Sequence, residues 1–226
     1  MKEIEIRNRV VSRLQEWVGA RKGDATHRAI IDAYNSHQPR PRGYRVSYAD
    51  NWCAATVSAA AILEGLTEIM PVECSCGELI KLYKALGRWI ENDAYVPQPG
   101  DLVMYAWSDD GVGDCKKDPN HVGMVERVDG NTITVIEGNM GSASEVGRRV
   151  LAVNGRYIRG YCCPDYASKA DKAPVSKPWY AEAQTWAKEL GITADGTRPT
   201  APCTRAEVWQ MLKNYDRASQ QARRGE

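Results

Sequence analysis

Ile6, Val10, Leu14 and Trp17 recur three or four residues apart, so the spacing predicts an amphipathic helix at the start of the chain. A second helix is expected from Asp24, as N-cap, to about Ser36. The stretch HQPRPRGYRVSYAD reads as a loop that delivers the chain to Asn51-Trp52-Cys53. The small-residue run AATVSAAAILEG then predicts a buried helix ending near Gly65, with Asp50 or Asn51 as its N-cap. Ser75-x-x-Glu78 is a capping box for another helix, whose apolar face would be Leu79, Leu82, Tyr83 and Leu86.

From Trp89 the period changes from helix to strand. PQPGDLVMYAW supplies a turn and then an apolar run, and HVGMVERV and NTITVIEGN flank a turn and should form a hairpin. A three-residue loop, Asp129-Gly130-Asn131, would pair Val128 with Thr132, Gly123 with Glu137 and His121 with Asn139. RRVLAVNGRYIRGYCCP reads as a second hairpin, turning at Asn154-Gly155. Helices followed by an antiparallel meander define an α+β domain over residues 1–165.

Residues 166–178 are rich in Pro, Ala, Ser and Lys and read as a linker. Beyond it, Trp179, Ala183, Trp186 and Leu190 share a helical face. Thr204-x-x-Glu207 caps a second helix with Val208, Met211, Leu212 and Tyr215 as its stripe. Residues 179–226 are thus a helix–loop–helix, too small to bury much core by itself.

Charge narrows the function. Thirty Lys and Arg against 29 Asp and Glu leave a net charge of +1, which predicts no nucleic-acid partner and no attraction to an anionic membrane. A local basic cluster, Arg40, Arg42 and Arg45, reads as a solvated loop on so balanced a chain. No run reaches the roughly 20 apolar residues of a membrane span, and the N-terminus lacks a signal-peptide core. Seven cysteines, an odd number, predict mostly reduced thiols. The spacing of Cys74, Cys76, Cys162 and Cys163 does not match zinc knuckles. Asp109, Asp110, Asp114 and Asp118 form a candidate calcium loop, but without EF-hand spacing and with two lysines among them they read better as solvated.

Cys53 carries the candidate chemistry. In the first turn of a helix, the free N–H groups and the macrodipole favour a thiolate. His121 opens a strand beside a polar, turn-rich segment, where an imidazole can act as a base. Glu137 and Asn139, at the end of the next strand, are placed to orient it.

These residues sit in Asn51-Trp52-Cys53-Ala54, Gln98-Pro99-Gly100-Asp101-Leu102-Val103, His121-Val122-Gly123-Met124-Val125 and Ile136-Glu137-Gly138-Asn139. Over about residues 5–165 the pattern resembles the CHAP family, the cysteine- and histidine-dependent amidohydrolases/peptidases. It looks most like phage or prophage lysins of Gram-positive hosts. The resemblance implies a papain-like α+β fold, Cys53 as nucleophile, His121 as base, Glu137 as orienting acid and Asn139 as accessory polar group. It requires no cofactor. Many members carry Gln before the nucleophile, where this chain has Trp52. An oxyanion contact from the Cys53 N–H, with Tyr48 or Asn51, is the expectation instead, and Tyr48, Trp52 and Trp107 are candidates to line a substrate groove. The segments WAKELGI, DGTRP and TRAEV resemble one S-layer homology repeat, which would bind wall polysaccharide or pack on the catalytic domain.

The expected function is therefore a peptidoglycan hydrolase, an amidase or an endopeptidase, of endolysin type. It would be held in the host cytoplasm until released to the cell wall. The rival readings are a non-catalytic wall-binding protein and a thiol-redox or metal-binding protein.

Overall fold

The computed structural model describes residues 1–92, 94–110, 114–153, 155–171, 181–190 and 203–224 of the chain, which divides into two units, Met1–Asp171 and Lys172–Glu226. In the first unit, helices α1 (Glu3–Trp17), α2 (Ala25–Ser36), α3 (Cys53–Leu63) and α4 (Cys76–Ala85) precede the sheet. The strands are β1 (Trp89–Ile90), β2 (Leu102–Tyr105), β3 (His121–Asp129), β4 (Thr132–Met140), β5 (Glu145–Ala152) and β6 (Ile158–Cys162). They form one antiparallel sheet in the order β1-β6-β2-β3-β4-β5. The α+β class expected from the element order is the one observed.

Helix α3 is the centre of the helical layer. Nine of its 11 residues, from Cys53 to Ala61, are buried, which suits a helix apolar on every side. Its small side chains let α1 and α2 approach on one side and β3 and β4 on the other. Thr56 touches Gly138 so closely that a Cβ there would lie 2.1 Å from Thr56 Oγ1. The other face of the sheet closes on itself around Val103, Tyr105, Val125, Val135 and Tyr161. Of the face expected on α4, Leu79 and Tyr83 are buried, while Leu82 and Leu86 are exposed.

Asp101 explains the Pro-Gly-Asp turn. Its side chain is fully buried, and it accepts from Arg7 Nη1 at 3.1 Å, Tyr95 Oη at 2.6 Å and the Gln98 N–H at 2.9 Å. The turn thereby locks the start of β2 to α1. Gly100 has φ 90°, a conformation that favours glycine, and Tyr166 Oη donates to its carbonyl at 2.8 Å.

Two expectations about the sheet are corrected. The β3–β4 loop has two residues, Gly130 and Asn131, because Asp129 pairs with Thr132. Gly130 supplies the left-handed φ of 56° that so tight a turn needs. A β-bulge at Glu126, between the Val125–Val135 and Arg127–Thr134 pairs, then restores the expected register further along. The second hairpin does not exist: β5 pairs with β4, whereas β6 lies between β1 and β2. Asn154, in its expected turn, lies outside the described residues. Long-range pairing of β6 with Leu102–Tyr105 prevails over the local turn signal.

Residues 166–171 of the expected linker, 166–178, belong to the first unit. Helix α5 (Tyr166–Lys169) belongs to the first unit and buries Tyr166 completely. Residues 172–178 lie outside the described residues. In the second unit, α6 (Ala181–Glu189) and α7 (Arg205–Arg224) correspond to the two expected helices. Thr204 and Glu207 make reciprocal cap bonds, and Trp186 meets Tyr215 with ring centroids 5.7 Å apart. Trp179, part of the expected stripe, lies outside the described residues, and Ala183 and Leu190 are exposed.

Candidate active site

Cys53 is the first residue of α3. Trp52 is the N-cap in place of Asp50 or Asn51, and it offers no side-chain bond to the helix end. The reason is that the neighbouring polar side chains are committed elsewhere. Asp50 closes its own turn on the Ser47 N–H at 2.8 Å, and Asn51 Oδ1 accepts from Asn139 Nδ2 at 3.2 Å. An uncapped N-terminus leaves main-chain N–H groups free to meet a negative charge.

His121 and Glu137 stand at the sheet end that faces this thiol. Imidazole Nε2 lies 3.1 Å from Glu137 Oε2, which leaves Nδ1 as the ring nitrogen for Cys53. Cys53 and His121 interact by hydrogen bonding and charge. The contact between His121 and Glu137 depends on glycine. One step beyond the Met124–Ile136 pair, Gly123 stands opposite Glu137, and a Cβ there would lie 2.7 Å from Glu137 Cγ. On the other side Glu137 pairs with Gly147 of β5. The carboxylate is therefore flanked by a residue without a side chain on each neighbouring strand.

Arg149 completes the cluster. Its guanidinium forks onto Glu137, with Nε 2.8 Å from Oε1 and Nη2 3.0 Å from Oε2. It also stacks over Trp107, 4.9 Å from the ring centroid. Trp107 in turn lies parallel to Tyr105, with centroids 4.7 Å apart, and 5.9 Å from the His121 ring.

The charges reinforce one another. A hydrogen bond from Cys76, followed by the bond and charge of His121, holds the Cys53 thiol well below its ordinary value despite burial. Burial opposes charge on His121, but the bonds to Cys53 and Glu137 outweigh it and push the imidazole up to about 9. Burial likewise opposes the Glu137 carboxylate, yet His121 and Arg149 keep it below the usual carboxylate range. These shifts favour a thiolate, an imidazolium and a carboxylate side by side, the arrangement of a cysteine nucleophile with an oriented acid–base partner.

Several candidate residues are placed differently from the expectation. Asn139 adopts φ 56° and bonds to Asn51 and Ser144, so it ties the loop before Cys53 to β4. Trp52 is fully buried with Nε1 donating to Ser144 Oγ, so it is core and not groove. The Tyr48 hydroxyl is engaged by Asp32 at 2.7 Å. Trp107 remains partly exposed beside His121. Next to Asn51 a cavity of about 320 Å³ is lined by Arg42, Tyr44, Val46, Asp50 and Cys74.

Arg42 is not merely solvated, since it pairs with the buried Glu73 through two bonds. His27, expected on the surface, is buried against Trp52 with centroids 4.6 Å apart. Its Nδ1 accepts the Gly23 N–H. Among the described residues no group of three or more His, Cys, Asp or Glu gathers as a metal site. In the loop proposed for calcium, Lys116 pairs with Asp114 and Lys117 with Asp110, while residues 111–113 lie outside the described residues.

Sequence reasoning missed Arg149 and Cys76. Arg149 was accessible through strand alternation, which puts Gly147 and Arg149 on one face of β5. That face meets Glu137 only once the β4–β5 register is known. Cys76 carried no such signal, because its approach to Cys53 depends on how two helix starts converge.

Residues 39–139 match the CHAP domain family, and the matched span contains Cys53, His121, Glu137 and Asn139. Over that stretch the chain is similar to the CHAP domain, a cysteine- and histidine-dependent amidohydrolase domain. Among solved structures the chain is similar to "The crystal structure of Ly7917", at 17% identity and a TM-score of 0.41. It is also similar to "The crystal structure of Ly7917 with the hydrolyzing product of MDP", at 18% and 0.42. Each comparison covers 70% of this chain and 62% of the other, so the chain spans less than two thirds of the length of those structures. No curated protein matches the chain.

Proposed function

We propose that the protein is a peptidoglycan hydrolase that cleaves an amide bond through a covalent thioester on Cys53. The observation that carries this reading is the Cys53–His121–Glu137 group, set at the uncapped start of α3 within the stretch that matches the CHAP domain family. The Cys53 thiolate attacks the amide carbon, and the charge that develops on oxygen meets the main-chain N–H groups at the helix start. His121 gives its proton to the leaving amine, then takes one from the water that releases the acyl group. Glu137 fixes the imidazole in the orientation that turns Nδ1 to the thiol. Arg149 and Asn139 act as positioning residues, one on the carboxylate and one on the Asn51 loop. The cavity beside Asn51 is the proposed groove for the stem or bridge peptide.

The motif pattern's resemblance to phage and prophage lysins supports an endolysin role, and the likeness of the second unit to an S-layer homology repeat supports wall anchoring. Digestion of purified Gram-positive walls, with new termini identified by mass spectrometry, tests the reading. A new muramic acid lactyl carboxyl end together with a new L-alanine amine identifies an amidase, and a new carboxyl and a new amine that both lie within the stem or bridge peptide identify an endopeptidase. Cys53→Ala should abolish cleavage while keeping the thermal transition. Wall cleavage by that variant would exclude the proposal.

A further inference from the structure

The nucleophile has a neighbour that the proposed reaction does not use. Cys76 Sγ lies 4.0 Å from Cys53 Sγ, and both thiols are buried. Cys53 is the first residue of α3 and Cys76 the first residue of α4, so two helix N-termini converge on one pair of sulfurs. Cys74 is part-buried beside Arg42, and Cys162 is buried in the sheet.

We infer that Cys53 and Cys76 form a peroxide-sensitive modification site, in which Cys76 captures the oxidised nucleophile as a reversible disulfide. The inference rests on Cys53 being the ionised thiol of the proposed site, but not on which bond that site cleaves. Two features favour the chemistry. A thiolate reacts with peroxide far faster than a thiol, and Cys53 is the thiol that has an imidazolium partner. The resolving thiol is already in contact, and forming a bond of about 2.05 Å needs the two sulfurs to close by about 2 Å between them, a movement within reach of side-chain rotation at two helix starts.

The steps balance with a hydroperoxide as the only oxidant. The Cys53 thiolate attacks one peroxide oxygen, the O–O bond breaks, and the departing hydroxide takes the His121 proton to leave as water. Cys53 is then a sulfenic acid. The Cys76 sulfur attacks the Cys53 sulfur, the S–O bond breaks, and hydroxide departs with the Cys76 proton as a second water. Two electrons pass from the sulfur pair to the peroxide. The neighbouring Cys53 thiolate is the chief cause holding Cys76 protonated in the reduced protein. Conversion of Cys53 to an uncharged sulfenic acid removes that cause at the moment Cys76 must act. Without a resolving thiol, the sulfenic acid proceeds to sulfinic acid, which dithiothreitol does not reverse.

The experiment treats the reduced full-length chain with hydrogen peroxide in molar excess over protein and reads mass and alkylation, neither of which depends on wall cleavage. The wild type should lose about 2 Da and stop reacting with iodoacetamide at Cys53, and dithiothreitol should restore both. Digestion after glutamate separates Cys53 from Cys76, since Glu64 and Glu73 lie between them. In the oxidised protein the fragment carrying Cys53 should remain joined to Cys74–Glu78, and the link should survive in Cys74→Ala. In Cys76→Ala the same treatment should add two oxygens to Cys53 that dithiothreitol does not remove. The wild-type mass and cross-link stand by themselves if that variant fails to fold. A link from Cys53 to Cys74 or Cys162, or equal overoxidation of wild type and Cys76→Ala, would overturn the proposal.

Discussion

Substitution of Gly123 by alanine tests the packing on which the orienting carboxylate depends. The added methyl would meet Val135 Cγ1 at 2.5 Å, Glu137 Cγ at 2.7 Å and the Ile136 carbonyl oxygen at 2.9 Å. The last of these is backbone, so β3 and β4 must separate or Glu137 must withdraw from His121. Overpacking of this kind costs about 1–3 kcal/mol, and for a domain of this size each kcal/mol lowers the midpoint by about 2–4 °C. Thermal unfolding followed by far-UV circular dichroism should therefore fall by about 2–12 °C. Release of wall fragments should fall further than stability accounts for, since a misplacement of about 1 Å can cost on the order of 100-fold in rate.

Gly147→Ala is the matched control on the opposite side of Glu137. There the new methyl would meet Met140 Cε at 2.2 Å and Sδ at 3.1 Å, the free end of a flexible side chain. That methionine can rotate away, so this variant should melt and cleave nearly as the wild type does. If Gly123→Ala matches the wild type in both assays, Glu137 is not wedged against β3 and the register argument fails. If Gly147→Ala is the more damaging of the two, the strain has been placed on the wrong strand.

Three further outcomes are expected. Activity requires the thiolate–imidazolium pair, so it should appear on the acid side as Cys53 ionises and fall as pH rises through about 9, where His121 loses its proton; an unbroken rise through that range would refute the ion pair. Because a cation lowers the proton affinity of every group near it, Arg149→Met should displace both limbs of the pH–rate profile upward, and Arg149→Lys should restore them in part; lower activity with an unmoved profile would reduce Arg149 to a structural prop. A chain ending at Asp171 should retain cleavage of soluble muropeptides, since Cys53, His121, Glu137 and Arg149 all precede it, and should sediment less with intact walls; unchanged sedimentation would argue against anchoring by the second unit.

Local pattern made most of the helical layer legible. Asp24 caps α2 through the His27 N–H at 2.7 Å, and Ser75 stands at the start of α4. The alanine-rich run could be read as buried because small residues at every turn suit a helix enclosed on all sides. Failures came where a distant partner outweighs a local preference. Asn154-Gly155 is a strong hairpin signal, but Leu102–Tyr105 offers β6 a better edge than β5 does. His27 sits among polar residues in sequence, yet helix packing turns its ring under Trp52. Trp52 looked available to a substrate because it adjoins the nucleophile, whereas its indole is what anchors the start of α3 in the core.

The β3–β4 hairpin shows how a site can be legible when its geometry is not. Because strand side chains alternate, His121 and Glu137 share a face only if an odd number of residues between them stays unpaired. A three-residue loop would satisfy that condition, and the chain meets it differently, with two residues in the turn and one in the bulge at Glu126. The divided arrangement leaves the bulged residue free of the ladder. Glu126 uses that freedom, accepting from Gln15 Nε2 at 2.8 Å and from Arg148 Nε at 2.8 Å, and so links α1 to the edge strand β5. Parity was inferable from the demand that an imidazole reach a carboxylate. The location of the odd residue was not, because it depends on side chains more than 100 positions away in sequence, on an element whose packing only the folded chain defines.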